Sequence, residues 1–292
     1  MSKFYELVPR KIGCDVLGID LNTESRPEVI EQIKRDVTEH RLLVFPQQGI
    51  ISGARHVEIS KWFGELESTF YKHERSPHPD VFRVSNDGNE GCRGVGRTGW
   101  HIDGSFQPEP FAYSLYHMVS VPKEGATQFL PLTELVENLD EETFARWNQL
   151  WMISDRRTGP VHPLIYNHPK TNKTVRFVFM YFRTITNLPI KSQVLCFHLG
   201  MTERFIWNYK KANEKWTSAD ETNNLLDEIH EVITIANKNL IYKHDWQPGE
   251  FIISDNLAVG HEATVETQYP RDKVGLRVLH RTTIKGVHRP QK

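Results

Sequence analysis

The sequence predicts a mainly β protein, a double-sheet barrel into which helices are inserted. Two observations support this. Strand-like apolar runs lie near both ends of the chain, at about 4–21, 250–254 and 274–284, and strands dominate 81–121 and return at 175–182. Helical spacing is confined to the segments between them, at about 25–40, 52–63, 133–150 and 202–239. We therefore expect residues 1–292 to form a single domain with a helical insert at approximately 190–240.

Local patterns justify the elements in order. Ser25 followed by Glu28 is a capping-box pattern, and apolar residues then recur at helical spacing through about His40. The apolar run at 41–45 is typical of a buried strand, and a second helix from about Ser52 ends before Gly64. The tract from 202 to 239 carries one apolar stripe and is predicted to be a long helix.

Composition narrows the classes of partner. The formal net charge is −1, so no excess of basic residues favours nucleic acid or an anionic membrane. No stretch approaches the length of apolar sequence that spans a bilayer. Cys14, Cys92 and Cys196 are scattered, which fits neither a disulfide framework nor a zinc site and favours the reducing cytoplasm. We expect a small-molecule partner, and the sequence leaves open whether the protein is a homo-oligomer.

The candidate metal ligands are His101, Asp103 and the distant His261. Two histidines and one carboxylate form the facial triad of non-haem Fe(II) oxygenases, which leaves coordination positions open. In an extended segment, His101 and Asp103 project from the same face and can bind one ion. The spacing alone is weak evidence, because it recurs at His78 and Asp80, between prolines that favour a surface turn. Solvent-facing side chains therefore remain the alternative interpretation.

Two arginines mark the last predicted strand. Arg277 and Arg281 share one face of the strand at 274–284. They are either the wet face of an outer strand or groups that point into a barrel and require anions, because a buried guanidinium without a partner is costly. The planar fork of arginine suits a carboxylate or a sulfonate.

With these residues in place, the chain resembles the taurine dioxygenase family of Fe(II)- and 2-oxoglutarate-dependent oxygenases. The resemblance spans nearly the whole sequence and rests on motifs in the family's order: Pro9-Arg10-Lys11-Ile12-Gly13, Arg41-Leu42-Leu43-Val44-Phe45, Trp62-Phe63-Gly64-Glu65-Leu66, Trp100-His101-Ile102-Asp103-Gly104-Ser105-Phe106, His168-Pro169-Lys170-Thr171, and Trp246-Gln247-Pro248-Gly249-Glu250 followed by Asp255-Asn256 and His261.

The resemblance implies a double-stranded β-helix, or jelly roll, of the clavaminate synthase-like type. It implies Fe(II), 2-oxoglutarate as co-substrate and O2, and an enzyme that hydroxylates or desaturates a small, anionic substrate with release of succinate and CO2. Residue roles follow by position: His101, Asp103 and His261 as iron ligands; Thr127 and Arg277 for the distal carboxylate of 2-oxoglutarate; and Arg281 for the anionic group of the substrate. Apart from the resemblance, the aromatic Trp100 and Phe182 are candidates for the walls of the substrate pocket, with plain core as the alternative. Arg97, in a glycine-rich loop, is either a second contact for an anion or a solvated side chain.

Departures from the family's motifs bear on which substrate the protein uses. The substrate-contacting histidine and tyrosine of taurine-using members fall near Thr69 and Lys72, so we expect a substrate other than taurine. Two alternatives remain. One is a carnitine-pathway type oxygenase acting on a trimethylammonium compound, which an aromatic cage would favour. The other is a jelly-roll protein that binds metal or ligand without turnover.

Overall fold

The computed structural model describes residues 4–67, 72–156, 159–179 and 184–292. Its helices are α1 (Pro27–His40), α2 (Gly53–Lys61), α3 (Leu132–Glu137), α4 (Glu141–Trp147), α5 (Ala219–Glu231) and α6 (Arg271–Val274), with a π-helical turn at Val232–Ala236 and a 3-10 turn at Val265–Gln268. Its strands are β1 (Glu6–Pro9), β2 (Cys14–Leu17), β3 (Leu42–Phe45), β4 (Phe82–Ser85), β5 (Tyr113–Ser120), β6 (Thr127–Pro131), β7 (Leu150–Ser154), β8 (Val161–Pro163), β9 (Ile165–Phe179), β10 (Thr184–Leu195), β11 (Thr202–Trp207), β12 (Lys215–Trp216), β13 (Tyr242–His244), β14 (Phe251–Asp255), β15 (Val259–Ala263) and β16 (Val278–Ile284).

A seven-stranded sheet is the centre of the fold, with the order β1-β2-β3-β14-β5-β16-β4. Successive side chains of a strand point to opposite faces of the sheet, and in the central strands both faces are buried. In β3, Leu43 and Phe45 pack with the apolar face of α1, whereas Leu42 and Val44 pack on the opposite side. The predicted buried strand at 41–45 is thereby confirmed.

The second side of this sheet faces a three-stranded sheet of order β13-β6-β15. Phe129 of β6 and Val259 of β15 join Val44, Ile252 and Leu279 of the large sheet in one buried apolar cluster. Arg281 lies in β16, inside a packed two-sheet structure between β5 and β4, and Arg277 immediately precedes that strand. The alternative of an outer strand with a wet arginine face is wrong.

The helices are confirmed in part. The stripe of α1 buries Val29, Ile33 and Val37, but its N-cap is Arg26 and the predicted capping box of Ser25 is not formed. Pro27 at the first helical position accounts for this shift. In α2, by contrast, Ser52 is the N-cap and accepts a hydrogen bond from the backbone N–H of Arg55.

The predicted helix at 202–239 is wrong in its first part. Thr202–Trp207 is instead β11, which pairs antiparallel with β7. Its aromatic and β-branched residues favour a strand, and in the extended conformation Phe205 and Ile206 are both buried. Only Ala219–Glu231 and the π-helical turn are helical, so the segment at 190–240 is a mixed insert. The interval 81–121 is also less regular than predicted, since 86–112 contains no strand. The strand at 175–182 agrees with β9 to Phe179, and its end lies outside the described residues.

Among the described residues, no helix combines the length and apolar character needed to cross a bilayer.

Candidate metal centre

His101, Asp103 and His261 converge at the centre of the fold. One nitrogen or oxygen from each lies within 4.8 Å of the others, and all three residues are buried. Nε2 of His101 is 3.9 Å from Oδ1 of Asp103, and Nε2 of His261 is 3.6 Å from Oδ2. The two imidazole ring centroids are 4.4 Å apart. These three groups present their donor atoms to a common point, as metal ligands would.

Backbone pairing sets the separation of the two histidines. The N–H of His261 in β15 donates to the carbonyl of His101 at 2.9 Å, and the N–H of His101 donates back at 3.2 Å. Residues so paired in an antiparallel bridge carry their side chains on the same face. His101 also forms an antiparallel bridge with His198. The two imidazoles thus meet because the main chain is hydrogen-bonded behind them.

Burial keeps both imidazoles neutral. It lowers the pKa of His261 to about 3 and also lowers the pKa of His101, although Asp103 opposes both shifts. Nδ1 of His101 lies 2.7 Å from the carbonyl oxygen of Gly99, so Nδ1 carries the proton and the lone pair of Nε2 faces Asp103. A neutral imidazole with one nitrogen fixed by a backbone carbonyl is the form that binds a metal.

The carboxylate of Asp103 is held charged. Burial alone would raise its pKa, but Arg281 and the two histidines keep that pKa well below its usual range. Arg281 lies 3.0 Å from Oδ1 and 3.1 Å from Oδ2, and the hydroxyl of Ser114 donates to Oδ2 at 2.8 Å. The centre therefore combines two neutral nitrogens with one ionised carboxylate.

The second predicted cofactor residue, Arg277, is a buried cation. Its residue is 2% exposed, its Nε has no hydrogen-bond partner, and burial lowers its pKa to about 10. No carboxylate that the structure describes forms an ion pair with it. Thr127, on the facing sheet, is also buried, and its hydroxyl oxygen accepts a hydrogen bond from the indole N–H of Trp246. A guanidinium in this state fits an anionic group.

The other predicted site residues have different surroundings. Arg281 contacts Asp103 directly, so the predicted substrate-binding residue lies next to the predicted metal ligand. Trp100 is fully buried in an apolar cluster, and its indole nitrogen has no partner. Arg97 donates to the carbonyl of Ala263 and pairs with Glu262 at 3.3 Å. Phe182 and Thr69 lie outside the described residues.

Sequence reasoning missed several neighbours of the centre. The ring of His198 stacks on that of His101, with centroids 4.5 Å apart. The hydroxyl of Tyr116 is 3.4 Å from Nε2 of His261, and Ser114 contacts Asp103. Ser114 and Tyr116 lie two residues apart on β5, and this spacing, which places them on one face of the strand, was the only available signal. No sequence pattern pointed to His198.

Two neutral histidines and an ionised carboxylate are the donor set of a non-haem iron oxygenase. Residues 3–283 match the family described as "Taurine catabolism dioxygenase TauD, TfdA family". The chain belongs to this family. Its members are oxidoreductases that use Fe(II), 2-oxoglutarate and O2.

Curated relatives cover most of the chain at low identity. An (S)-phenoxypropionate/alpha-ketoglutarate-dioxygenase from Sphingobium herbicidovorans is 22% identical, over 98% of this chain and 96% of the relative. An alpha-ketoglutarate-dependent 2,4-dichlorophenoxyacetate dioxygenase from Cupriavidus pinatubonensis is 26% identical, over 85% of this chain and 88% of the relative. An alpha-ketoglutarate-dependent sulfonate dioxygenase from Saccharomyces cerevisiae is 23% identical, over 92% of this chain and 64% of the relative.

Solved structures share the fold. A taurine dioxygenase from Burkholderia xenovorans superposes with a TM-score of 0.70 at 23% identity, over 96% of this chain and 89% of that one. AAD-2 in complex with Mn(II) and N-oxalylglycine superposes with a TM-score of 0.71 at 19% identity, over 100% of both chains. The strand-rich, helix-poor architecture described above is thus the architecture of these dioxygenases.

Proposed function

We propose that this protein is an Fe(II)- and 2-oxoglutarate-dependent dioxygenase that hydroxylates or desaturates a small anionic organic substrate. The reaction releases succinate and CO2. The observation that carries the proposal is the convergence of His101, Asp103 and His261 in the same two-sheet core as Arg277, which forms no ion pair with any residue that the structure describes. We further propose that residues 1–292 of the protein form a single domain with the jelly-roll fold, and that the protein is located in the cytoplasm.

The donor set fits a divalent iron. His101 and His261 would contribute neutral nitrogens and Asp103 one charged oxygen, a donor set that would neutralise part of the charge of a bound ion. When bound, the iron supplies the oxidative chemistry, coupling decarboxylation of 2-oxoglutarate to oxidation of a substrate C–H bond. The protein's own contribution is position, charge and exclusion of water.

Arg277 is proposed to bind the distal carboxylate of 2-oxoglutarate together with Thr127. The guanidinium offers paired donors and its Nε is unpartnered. Because the oxygen of Thr127 already accepts from Trp246, the hydroxyl proton is the part of that group left for a ligand oxygen. The carboxylate would supply the negative charge that the buried guanidinium lacks in the described chain.

Arg281 is proposed to favour an anionic end on the substrate. Its side chain is 16% exposed, touches both oxygens of Asp103 and lies over the ring of Phe82. The relatives described above are named for a phenoxypropionate, a 2,4-dichlorophenoxyacetate and a sulfonate, all of which are anions. A positive charge beside the metal ligands also disfavours the trimethylammonium alternative, since it repels a cation.

The test separates the three candidate functions. Anaerobic addition of Fe(II) and 2-oxoglutarate should produce a visible charge-transfer absorption, which Asp103→Ala should abolish. Asp80→Ala is the matched control, because it alters the exposed His78–Asp80 pair of the same spacing. A screen of small carboxylates, sulfonates, phosphonates and betaines should then give succinate only with an anionic compound. Binding without succinate formation from any compound would favour the non-catalytic alternative, and turnover of a betaine the carnitine-type alternative.

A further inference from the structure

Two buried asparagines each hold the backbone of one site residue. Asn256, which follows β14, is 1% exposed. Its Oδ1 accepts the N–H of Asp103 at 2.8 Å, and its Nδ2 donates to the carbonyl of Asp103 at 2.8 Å and to that of Phe111 at 2.7 Å. The same side chain therefore binds both polar backbone groups of the predicted carboxylate ligand.

Asn86, which follows β4, contacts one backbone group of Arg277, whereas the carbonyl of Arg277 accepts a hydrogen bond from the hydroxyl of Ser85 at 2.6 Å. Asn86 is 4% exposed, and its Oδ1 accepts the N–H of Arg277 at 2.9 Å. Its Nδ2 donates to the carbonyls of Gly275 and Tyr269 at 2.9 and 3.0 Å. Each asparagine thus uses one acceptor and both donors on main-chain groups, which is nearly the full capacity of an amide.

Both site residues depend on these contacts because neither lies in a strand. Asp103 is in a turn that continues into Gly104, where φ is 77°. Arg277 lies between Gly275, with φ of 90°, and the start of β16. Outside a sheet, the backbone N–H has no neighbouring strand as its acceptor, and a buried amide side chain takes that place. A distant asparagine thus helps to hold the backbone of each functional residue, and at Arg277 it acts together with Ser85.

We infer that Asn256 and Asn86 are separate positioning residues, Asn256 for the metal-binding carboxylate and Asn86 for the guanidinium that binds 2-oxoglutarate. The inference rests on the proposed function. Neither asparagine has a side-chain hydrogen bond to the carboxylate of Asp103 or to the guanidinium of Arg277; each acts through the main chain that carries it. Since the two act on different ligands, their losses should be separable.

The experiment is a crossed comparison of Asn256→Ala and Asn86→Ala, each the matched control of the other. Mn(II) affinity is measured by calorimetry, and 2-oxoglutarate affinity is measured on the protein saturated with Mn(II). Loss of a group that orients a metal ligand costs about 10- to 100-fold in metal affinity, and we expect this for Asn256→Ala. For Asn86→Ala we expect unchanged Mn(II) affinity and 2-oxoglutarate affinity lower by about tenfold, the scale of one hydrogen bond.

A merely structural role predicts a different pattern. The inference is overturned if both variants lose stability but keep both affinities. It is also overturned if each variant lowers the affinities for Mn(II) and for 2-oxoglutarate to the same extent. The visible spectrum of the Co(II) form adds a second readout, which should change in Asn256→Ala and stay as wild type in Asn86→Ala. If wild type binds no Mn(II), or binds it equally well after Asp103→Ala, the proposed function has failed instead.

Hydrogen exchange on the wild-type protein keeps the inference testable should either variant not fold. The backbone N–H groups of Asp103 and Arg277 should already be protected in the free protein, because their acceptors are side chains of the folded core. Addition of Mn(II) or 2-oxoglutarate should change this protection little. Rapid exchange at both positions that slows only when the ligands are added would overturn the inference.

Discussion

Replacing Arg277 by methionine should stabilise the free protein while abolishing its response to 2-oxoglutarate. Burial lowers the pKa of this guanidinium from 12.5 to about 10, and no described charge offsets the effect. At 1.36 kcal/mol for each pKa unit, the buried charge costs roughly 3 kcal/mol. The folded-state pKa lies below the unfolded one, so this cost is fully present at neutral pH and is relieved only as pH rises through about 10. Methionine keeps an apolar stem and carries no charge.

Equilibrium unfolding in urea measures both parts of this prediction. Without ligands, the midpoint for Arg277→Met should lie above that of wild type. With Mn(II) present, 2-oxoglutarate should raise the midpoint of wild type, because a ligand that binds only the folded state stabilises it. It should leave the variant unchanged.

Arg281→Met is the contrasting control for Arg277→Met. Removing Arg281 leaves the carboxylate of Asp103 buried without its main partner, and this should destabilise the free protein. Our account of Arg277 would be refuted by an Arg277→Met variant that is less stable than wild type and is still stabilised by 2-oxoglutarate.

Three further outcomes are expected. Gly104→Ala should lower the free energy of unfolding by roughly 2–4 kcal/mol and weaken Mn(II) binding, because φ is 77° there and a Cβ would lie 2.6 Å from the ring of Phe111. Chemical denaturation measures the change in stability and calorimetry the change in Mn(II) affinity, and an unaltered Mn(II) affinity would contradict the second effect. Burial and a nearby arginine lower the pKa of His280 to about 3, so the unfolded chain binds a proton that the folded state does not. Stability should therefore fall as pH decreases from about 6.5 towards 3, and unfolding at several pH values should show His280→Gln reducing that slope by about one proton, an unchanged slope being the contrary result. Arg281→Lys keeps the charge but loses the planar fork, so steady-state kinetics should give a substrate KM higher by about tenfold or more with 2-oxoglutarate affinity retained, whereas an equal loss of both would place Arg281 elsewhere.

The sequence predicted the residues of the site better than their contacts. His101, Asp103 and His261 could be chosen because the extended His-x-Asp spacing and the family motifs both indicated them, and the structure brings them together. The helical stripe of α1 and the buried β3 were equally clear, since their periodicity depends only on local geometry. By contrast, β11 was mistaken for helix because pairing with β7, nearly fifty residues earlier, decides its conformation.

Contacts between distant side chains and main chain could not be predicted. The hydrogen bonds of Asn256 to Asp103 join residues 153 positions apart, and no spacing rule connects them. The same applies to the ion pair of Arg281 with Asp103, since an arginine on a strand face has no partner that its own sequence reveals. Such contacts arise when the two sheets pack, and local propensity carries no information about them.

The mutual main-chain hydrogen bonds of His101 and His261 do not depend on which side chain each of these proposed ligands carries. Those bonds involve only peptide groups, so exchanging either imidazole for a carboxylate, a thiol or an amide leaves them in place, and at His101 the ring contact with the Gly99 carbonyl is lost. Ligand-exchange variants at these two positions would therefore present new donor sets at nearly the same spacing. Single substitutions at these positions would therefore change one donor group at a time while the backbone that carries it stays in place.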